Sequence, residues 1–281
     1  HSVGNKQSLI NDQVNSIIED SEGDLWYGTN NGISLQDSKT GKWRSFLSTF
    51  ENVQNSKNHI FTTLCEVSPG IIWAGGYFSG LYQIDKRTSK TTYFTPASYA
   101  HESIRPDKYI RDIRKDSRGY VWSGGYYNLK RINVQTKDIR LYHGLHSVTA
   151  IIEKDDKSMW IGTATGLFLL DIESGKYERI QLPVESTYVY SLYQTKQGSL
   201  YIGTSGSGVL IYDPQTKLFT HYYTGNCAMI SNNIYTILSD EDNEILLSTE
   251  NGLTSFYPKQ KTFYNWTKEM GRMTTHFNAL S

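Results

Sequence analysis

Leu25-Trp26-Tyr27-Gly28-Thr29 returns five more times along the chain, as Ile72-Trp73-Ala74-Gly75-Gly76, Val121-Trp122-Ser123-Gly124-Gly125, Met159-Trp160-Ile161-Gly162-Thr163, Leu200-Tyr201-Ile202-Gly203-Thr204 and Ile245-Leu246-Leu247-Ser248-Thr249. The glycine, or the serine that replaces it last, recurs at intervals of 47, 49, 38, 41 and 45 residues. Self-similarity at a period of tens of residues is the signature of a repeat architecture.

Around each copy the neighbours repeat too. Nine residues before the Trp position stands a branched aliphatic (Ile17, Leu64, Ile113, Ile151, Leu192, Ile237), and twelve before stands another apolar residue (Val14, Phe61, Ile110, Val148, Val189, Ile234). Ten before comes a small or short polar residue: Ser16, Thr63, Asp112, Ala150, Ser191 and Thr236. This is a first strand, a, crowded against a central axis. A polar or Gly-bearing turn such as Asp20-Ser-Glu-Gly23 or Asp116-Ser-Arg-Gly119 joins it to the Trp strand, b, which is hairpin chemistry. A second tight turn leads into c, and an aromatic-bearing strand d follows.

Each unit is therefore a four-stranded antiparallel meander, and six run over residues 8–46, 58–95, 108–142, 146–182, 187–223 and 231–266. One such sheet cannot hide both faces, whereas sheets packed face to face in a ring can. The expected fold is all-β: a β-propeller domain or fragment spanning residues 1–281, with the Trp series packed between blades and the following glycine permitting close approach. Residues 267–281, ending Phe277-Asn-Ala-Leu-Ser281, read as the start of a further blade.

Composition agrees. Aromatics form 13% of the chain, 21 of them Tyr, with 23 Gly, which favours strands and turns. Twenty-eight basic and 28 acidic residues cancel, so no excess charge draws in nucleic acid or anionic lipid. No apolar run reaches the roughly 18 residues that cross a bilayer. Cys65 and Cys227 lie at non-equivalent repeat positions, and neither has the His or Cys neighbours of a zinc site.

The string Val14-Asn-Ser-Ile-Ile-Glu-Asp20-Ser-Glu-Gly23-Asp-Leu-Trp26-Tyr-Gly28-Thr29-Asn-Asn-Gly32-Ile, echoed from Ile110 to Gly125, resembles the two-component regulator propeller repeat. The last unit departs from it, with Leu246 and Ser248 for Trp and Gly, and the fifth has Tyr201 for Trp. In that family two seven-bladed propellers are typically followed by an immunoglobulin-like domain, a membrane span, a histidine kinase and a DNA-binding response regulator. The resemblance implies a periplasmic sensor portion of an inner-membrane receptor, often one perceiving glycan breakdown products. Its neighbours would be another propeller or the immunoglobulin-like domain, or a second copy in a homodimer. Kinase output and membrane anchoring would lie in other segments.

Signs of catalysis are sparse. Asp20 to Gly23 and Asp116 to Gly119 are spaced differently from the sialidase Ser-x-Asp-x-Gly-x-x-Trp box. Glycoside cleavage wants two carboxylates about 5 to 10 Å apart; Glu102, Asp107 and Asp112 sit near one blade, but a solvated loop charge or a turn-capping Asp suits each of them better. No zinc-protease, nucleophile-elbow or phosphate-loop motif occurs, and the seven His are scattered. The expectation is a non-enzymatic chain without metal or cofactor.

Topology places the d–a and b–c connections on one side of the sheets. There the b–c tips of blades two and three read Gly76-Tyr77-Phe78-Ser79 and Gly125-Tyr126-Tyr127-Asn128, where others have small polar residues. The loop entering blade three carries Tyr99, His101 and Arg105, and Arg111 follows at the mouth of strand a. Long loops on a rigid scaffold often carry function. Flat rings to stack on, with bidentate donors alongside, suit a sugar ring or a uronic acid. The candidate ligand site is therefore Tyr77, Phe78, Tyr99, His101, Arg105, Arg111, Tyr126 and Tyr127, with an oligosaccharide as the ligand. Two other readings of the same face are a carbohydrate-active propeller enzyme (glycosidase or lyase) and a structural dimerisation scaffold.

Overall fold

A computed structural model describes residues 8–47, 59–94, 109–240 and 244–266. Every regular element among them is a strand, and each repeat is one sheet of four strands paired in sequence order. The fold is that of an all-β propeller of four-stranded antiparallel blades.

The chain divides after Val148 into two compact units. In the first, blade one is β1 (Val14–Glu19), β2 (Leu25–Thr29), β3 (Gly32–Gln36) and β4 (Trp43–Phe46); blade two is β5 (Ile60–Ser68), β6 (Ile71–Tyr77), β7 (Gly80–Asp85) and β8 (Lys90–Tyr93); blade three is β9 (Ile110–Lys115), β10 (Val121–Gly125), β11 (Leu129–Ile132) and β12 (Ile139–Tyr142). In the second, blade four is β13 (Val148–Asp155), β14 (Ser158–Thr163), β15 (Gly166–Asp171) and β16 (Tyr177–Ile180). Blade five is β17 (Val189–Gln194), β18 (Leu200–Thr204), β19 (Val209–Asp213) and β20 (Leu218–Tyr222); blade six is β21 (Ile234–Ser239), β22 (Ile245–Thr249), β23 (Gly252–Tyr257) and β24 (Thr262–Trp266).

The cores lie between successive blades. Trp26 and Leu35 of blade one pack with Phe61, Leu64 and Tyr82 of blade two; Trp73 packs with Ile110 and Ile113, Trp160 with Val189 and Leu192, and Tyr201 with Ile234 and Ile237. All four tryptophans of the series are at most 1% exposed. The glycine two residues on permits this approach: a Cβ on Gly75 would lie 2.7 Å from Ile110 Cγ2 and 2.9 Å from Ile113 Cδ1.

Short polar residues eleven before the Trp position staple neighbouring strands a together. Asn15 Nδ2 donates to the Phe61 carbonyl (3.2 Å), Thr62 Oγ1 to that of Ile110 (2.9 Å) and Thr149 Oγ1 to that of Val189 (2.5 Å). The a–b turns hold the indoles by their N–H groups. Asp20 Oδ1 accepts from the Glu22 and Asp24 amides while Oδ2 accepts from Trp26 Nε1 at 2.9 Å; Asp116 does the same for Arg118, Tyr120 and Trp122.

The repeat offsets fail in one respect. The aliphatics nine before the Trp position are at most 7% exposed in blades two to six, but Ile17 is 59% exposed. Leu64 packs in this way beside Trp26 of the preceding blade, and no blade precedes the first among the described residues. Leu238 is the mirror case at 57%: the equivalent Ile18, Cys65 and Tyr193 pack towards the following blade, and no blade follows the sixth among the described residues. Residues 267–281, where a further blade is expected, lie outside the described residues. Both cysteines are free thiols.

Candidate functional site

In four blades strand b ends on a threonine that closes the b–c turn. Thr29, Thr163, Thr204 and Thr249 each donate from Oγ1 to the carbonyl of Gly32, Gly166, Gly208 and Gly252, at 2.9, 3.0, 2.7 and 2.9 Å. Blades two and three have Gly76 and Gly125 instead. A Cβ at either position would collide with a backbone oxygen of the adjacent strand a, that of Ile60 or of Tyr109. These two turns thus exchange a capping hydroxyl for close strand approach, and the following two residues are aromatic.

The exchange builds a continuous strip of rings. Tyr77 forms an isolated antiparallel bridge with Tyr109, just ahead of β9, and their rings meet edge to face at 5.7 Å. Phe78, held at φ +58°, meets Tyr109 at 4.6 Å. Tyr109 lies 6.2 Å from Tyr126, which lies 4.9 Å from Tyr127. The backbone fixes the far end: the Tyr126 amide donates to the Tyr109 carbonyl at 3.2 Å, and the Ser147 amide donates to the Tyr126 carbonyl at 3.1 Å. His146 Nδ1 contacts the Tyr127 carbonyl.

Ring–ring contact does not bury the strip. Phe78, Tyr126 and Tyr127 remain 47, 60 and 42% exposed. Arg111, half-buried, donates from Nη2 to the Tyr77 hydroxyl at 2.9 Å and places its guanidinium 5.9 Å from that ring's centre. The result is a run of apolar faces with phenol hydroxyls at its edge and a guanidinium beneath one end. Such a surface can stack a pyranose and hydrogen-bond its substituents.

Five of the expected residues, Tyr77, Phe78, Arg111, Tyr126 and Tyr127, therefore come together. Tyr99, His101 and Arg105 lie outside the described residues, as do Glu102 and Asp107. Asp112 turns away from this use: its carboxylate pairs with Arg114 Nε at 3.2 Å. Tyr109, which links the two tips, was not singled out by the sequence, nor was His146. Tyr109 is visible only once the Tyr77–Tyr109 bridge is known. Among the described residues no group of three or more His, Cys, Asp or Glu is arranged to hold a metal ion.

Comparison with known proteins finds likenesses over part or all of this frame. Residues 8–31 and 183–206 match the two component regulator propeller family. Histidine kinase P4 of Formosa agariphila is 25% identical over 94% of this chain, which spans 20% of that kinase's length. Among solved structures, the extracellular domain of a hybrid two component system from B. thetaiotaomicron superposes on the whole chain with a TM-score of 0.76 at 19% identity, the chain covering 37% of it. Virginiamycin B lyase from Staphylococcus aureus superposes on 91% of the chain, at TM-score 0.73 and 14% identity, with 84% of the lyase covered. At these identities the structural likenesses speak for the propeller fold alone. The chain spans about a fifth of the kinase and just over a third of the extracellular domain.

Proposed function

We propose that this chain, which carries two-component regulator propeller repeats, is an extracytoplasmic sensor propeller of a two-component receptor, and that it takes an oligosaccharide on the d–a/b–c loop face of blades two and three. In this reading the chain is the periplasmic part of an inner-membrane receptor, joined to a further propeller or immunoglobulin-like domain. The kinase it controls lies in another segment of that receptor.

The observation that carries the ligand site is the exchange of threonine-closed turns for glycine and paired aromatics in these two blades only. A turn needs no large exposed ring, and exposing rings costs solvation that a fold without a ligand would avoid. The match to the two component regulator propeller family and the likeness to histidine kinase P4 support the sensor reading.

Calorimetry of the chain against a panel of oligosaccharides, neutral and uronic, tests it. Tyr126→Ala and Tyr127→Ala, at exposed positions, are expected to fold and to lose about tenfold in affinity or more, equivalent to about 1.4 kcal/mol. Unchanged affinity would place the ligand elsewhere. Released products in the same incubations would instead support a carbohydrate-active enzyme, and self-association without binding would support a scaffold.

A further inference from the structure

In the second unit the stapling position of strand a changes character. Where Asn15, Thr62 and Thr149 reach the next blade's carbonyl, blades five and six carry Tyr190 and Tyr235. A phenol is too long for that short bond. In blade five the task falls to the next residue, Ser191, whose Oγ reaches the Ile234 carbonyl only at 3.5 Å. Three tyrosines gather instead: Tyr188 and Tyr190 at 4.8 Å and 49°, Tyr190 and Tyr235 at 5.2 Å and 81°. All three are half-buried.

A carboxylate is fixed nearby. Glu250, at the b–c turn of blade six, accepts from buried Ser231 Oγ on Oε1 and from Asn233 Nδ2 on Oε2, both at 3.0 Å. Burial, then the Glu250 charge, pushes the Tyr235 phenol above its ordinary value. The blade-five side is tied in through the Ser205 amide, which donates to the Tyr188 carbonyl at 3.0 Å. In the connections that form this loop face, residues 183–188, 205–208, 223–233 and 250–252, the charged side chains are Glu185 and Glu250.

We propose that Tyr188, Tyr190 and Tyr235, together with Glu250, form a second binding platform, on blades five and six, for an uncharged hydroxyl-rich ring such as a neutral saccharide. Ring faces offer apolar area to the C–H side of a pyranose, and the carboxylate and amide accept and donate at its hydroxyls. The face has acids and no Lys or Arg in those connections, so a uronic or sulfated ring would meet repulsion, unlike at the strip that holds Arg111. The platform is independent of that strip and needs no residue from it.

The repeat itself supplies the test. Tyr190→Thr and Tyr235→Thr install the residue blade four uses at this position, Thr149. The intact chain is titrated with maltohexaose, cellohexaose and xylohexaose, with a glucuronate oligomer and a glucosamine oligomer as charged controls, and each variant is melted. A neutral hexamer should bind. Both variants should lose about tenfold in affinity or more with an unchanged or raised melting temperature, and Tyr126→Ala in the other unit should leave this binding intact. Three outcomes overturn the proposal: no neutral hexamer binds; a charged oligomer is preferred; or both variants melt lower while binding is unchanged, which would make the tyrosines packing residues.

Discussion

Lys86 Nζ, from the turn after β7 in blade two, lies 2.6 Å from Asp20 Oδ2 in the a–b turn of blade one. It also sits 2.7 Å from Glu22 and from Asp24, and Arg44 of blade one donates to the Lys86 carbonyl at 2.8 Å. Burial pushes the Asp20 and Asp24 carboxyls up, but hydrogen bonds from Lys86, and from Trp26 or Ser38, outweigh it and leave both below the usual range. Burial works against the Lys86 charge, and its three carboxylate partners overcome that and raise it.

The pH dependence follows from those directions. The lowered carboxyls contribute stability that is present above about pH 4 and is lost as pH falls through their folded values. Raised Lys86 contributes stability that is full below about pH 10 and is lost as pH rises through its folded value. Lys86→Met leaves buried carboxylates without their cation and should cost about 3–5 kcal/mol. Urea titration at several pH values should show the gap between variant and parent narrowing as pH falls through the folded values of Asp20 and Asp24, because without Lys86 burial no longer leaves those carboxyls below the usual range.

Replacing an indole by a benzyl ring should cost different amounts in different blades. Trp122→Phe removes the N–H that Asp116 Oδ2 accepts and leaves that oxygen only Arg131 Nε at 3.8 Å, whereas Trp73 Nε1 has no partner because Val67 stands where blades one and three have Asp20 and Asp116. Trp122→Phe should therefore destabilise by about 1–3 kcal/mol more than Trp73→Phe. Equal denaturation midpoints would contradict the turn-carboxylate role. Trp26→Ala, which empties a core position, should cost about 3–5 kcal/mol.

Equivalent residues in the repeat are not equivalent in energy. Ile113 is fully buried and Ile17 is 59% exposed, so Ile113→Ala should cost about 2–5 kcal/mol and Ile17→Ala should stay within about 0.5 kcal/mol. Comparable losses in chemical denaturation would mean that something covers Ile17 in solution.

Gly125→Thr, which copies the residue found in four other blades, should destabilise rather than repair the turn. The Cβ meets the Tyr109 carbonyl oxygen, and relief would require strand a of blade three to move. A melting temperature equal to the parent's would show that the glycine is incidental and the aromatic strip is held by other contacts.

The blades were legible because every repeat buries the same face in the same way. The offsets of nine and twelve residues before Trp26, Trp73 and Trp122 report a fixed register across each hairpin. An offset tells which face a residue occupies but not whether a neighbouring blade lies over it, which is why the exposure of Ile17 was not legible in the repeat. At the candidate site, Tyr77, Phe78, Tyr126 and Tyr127 stood out as departures from small polar turns. Tyr109 did not, because its role comes from a cross-blade bridge. Tyr190 and Tyr235 disappear among 21 tyrosines until the stapling bonds of Asn15, Thr62 and Thr149 show what their position ordinarily does.

The same indoles can also report on the blades optically. Trp26 and Trp122 donate to carboxylates, Trp160 donates to the Gln194 amide oxygen in the neighbouring blade, and Trp73 donates to nothing. Four chromophores of near-equal burial thus sit in distinct local fields, and indole emission responds to such fields. Time-resolved fluorescence of single-tryptophan versions would follow the loosening of one blade at a time. Within the first unit, the quiet Trp73 would be a reference against which a disturbance of the Asp20 or Asp116 turn is read.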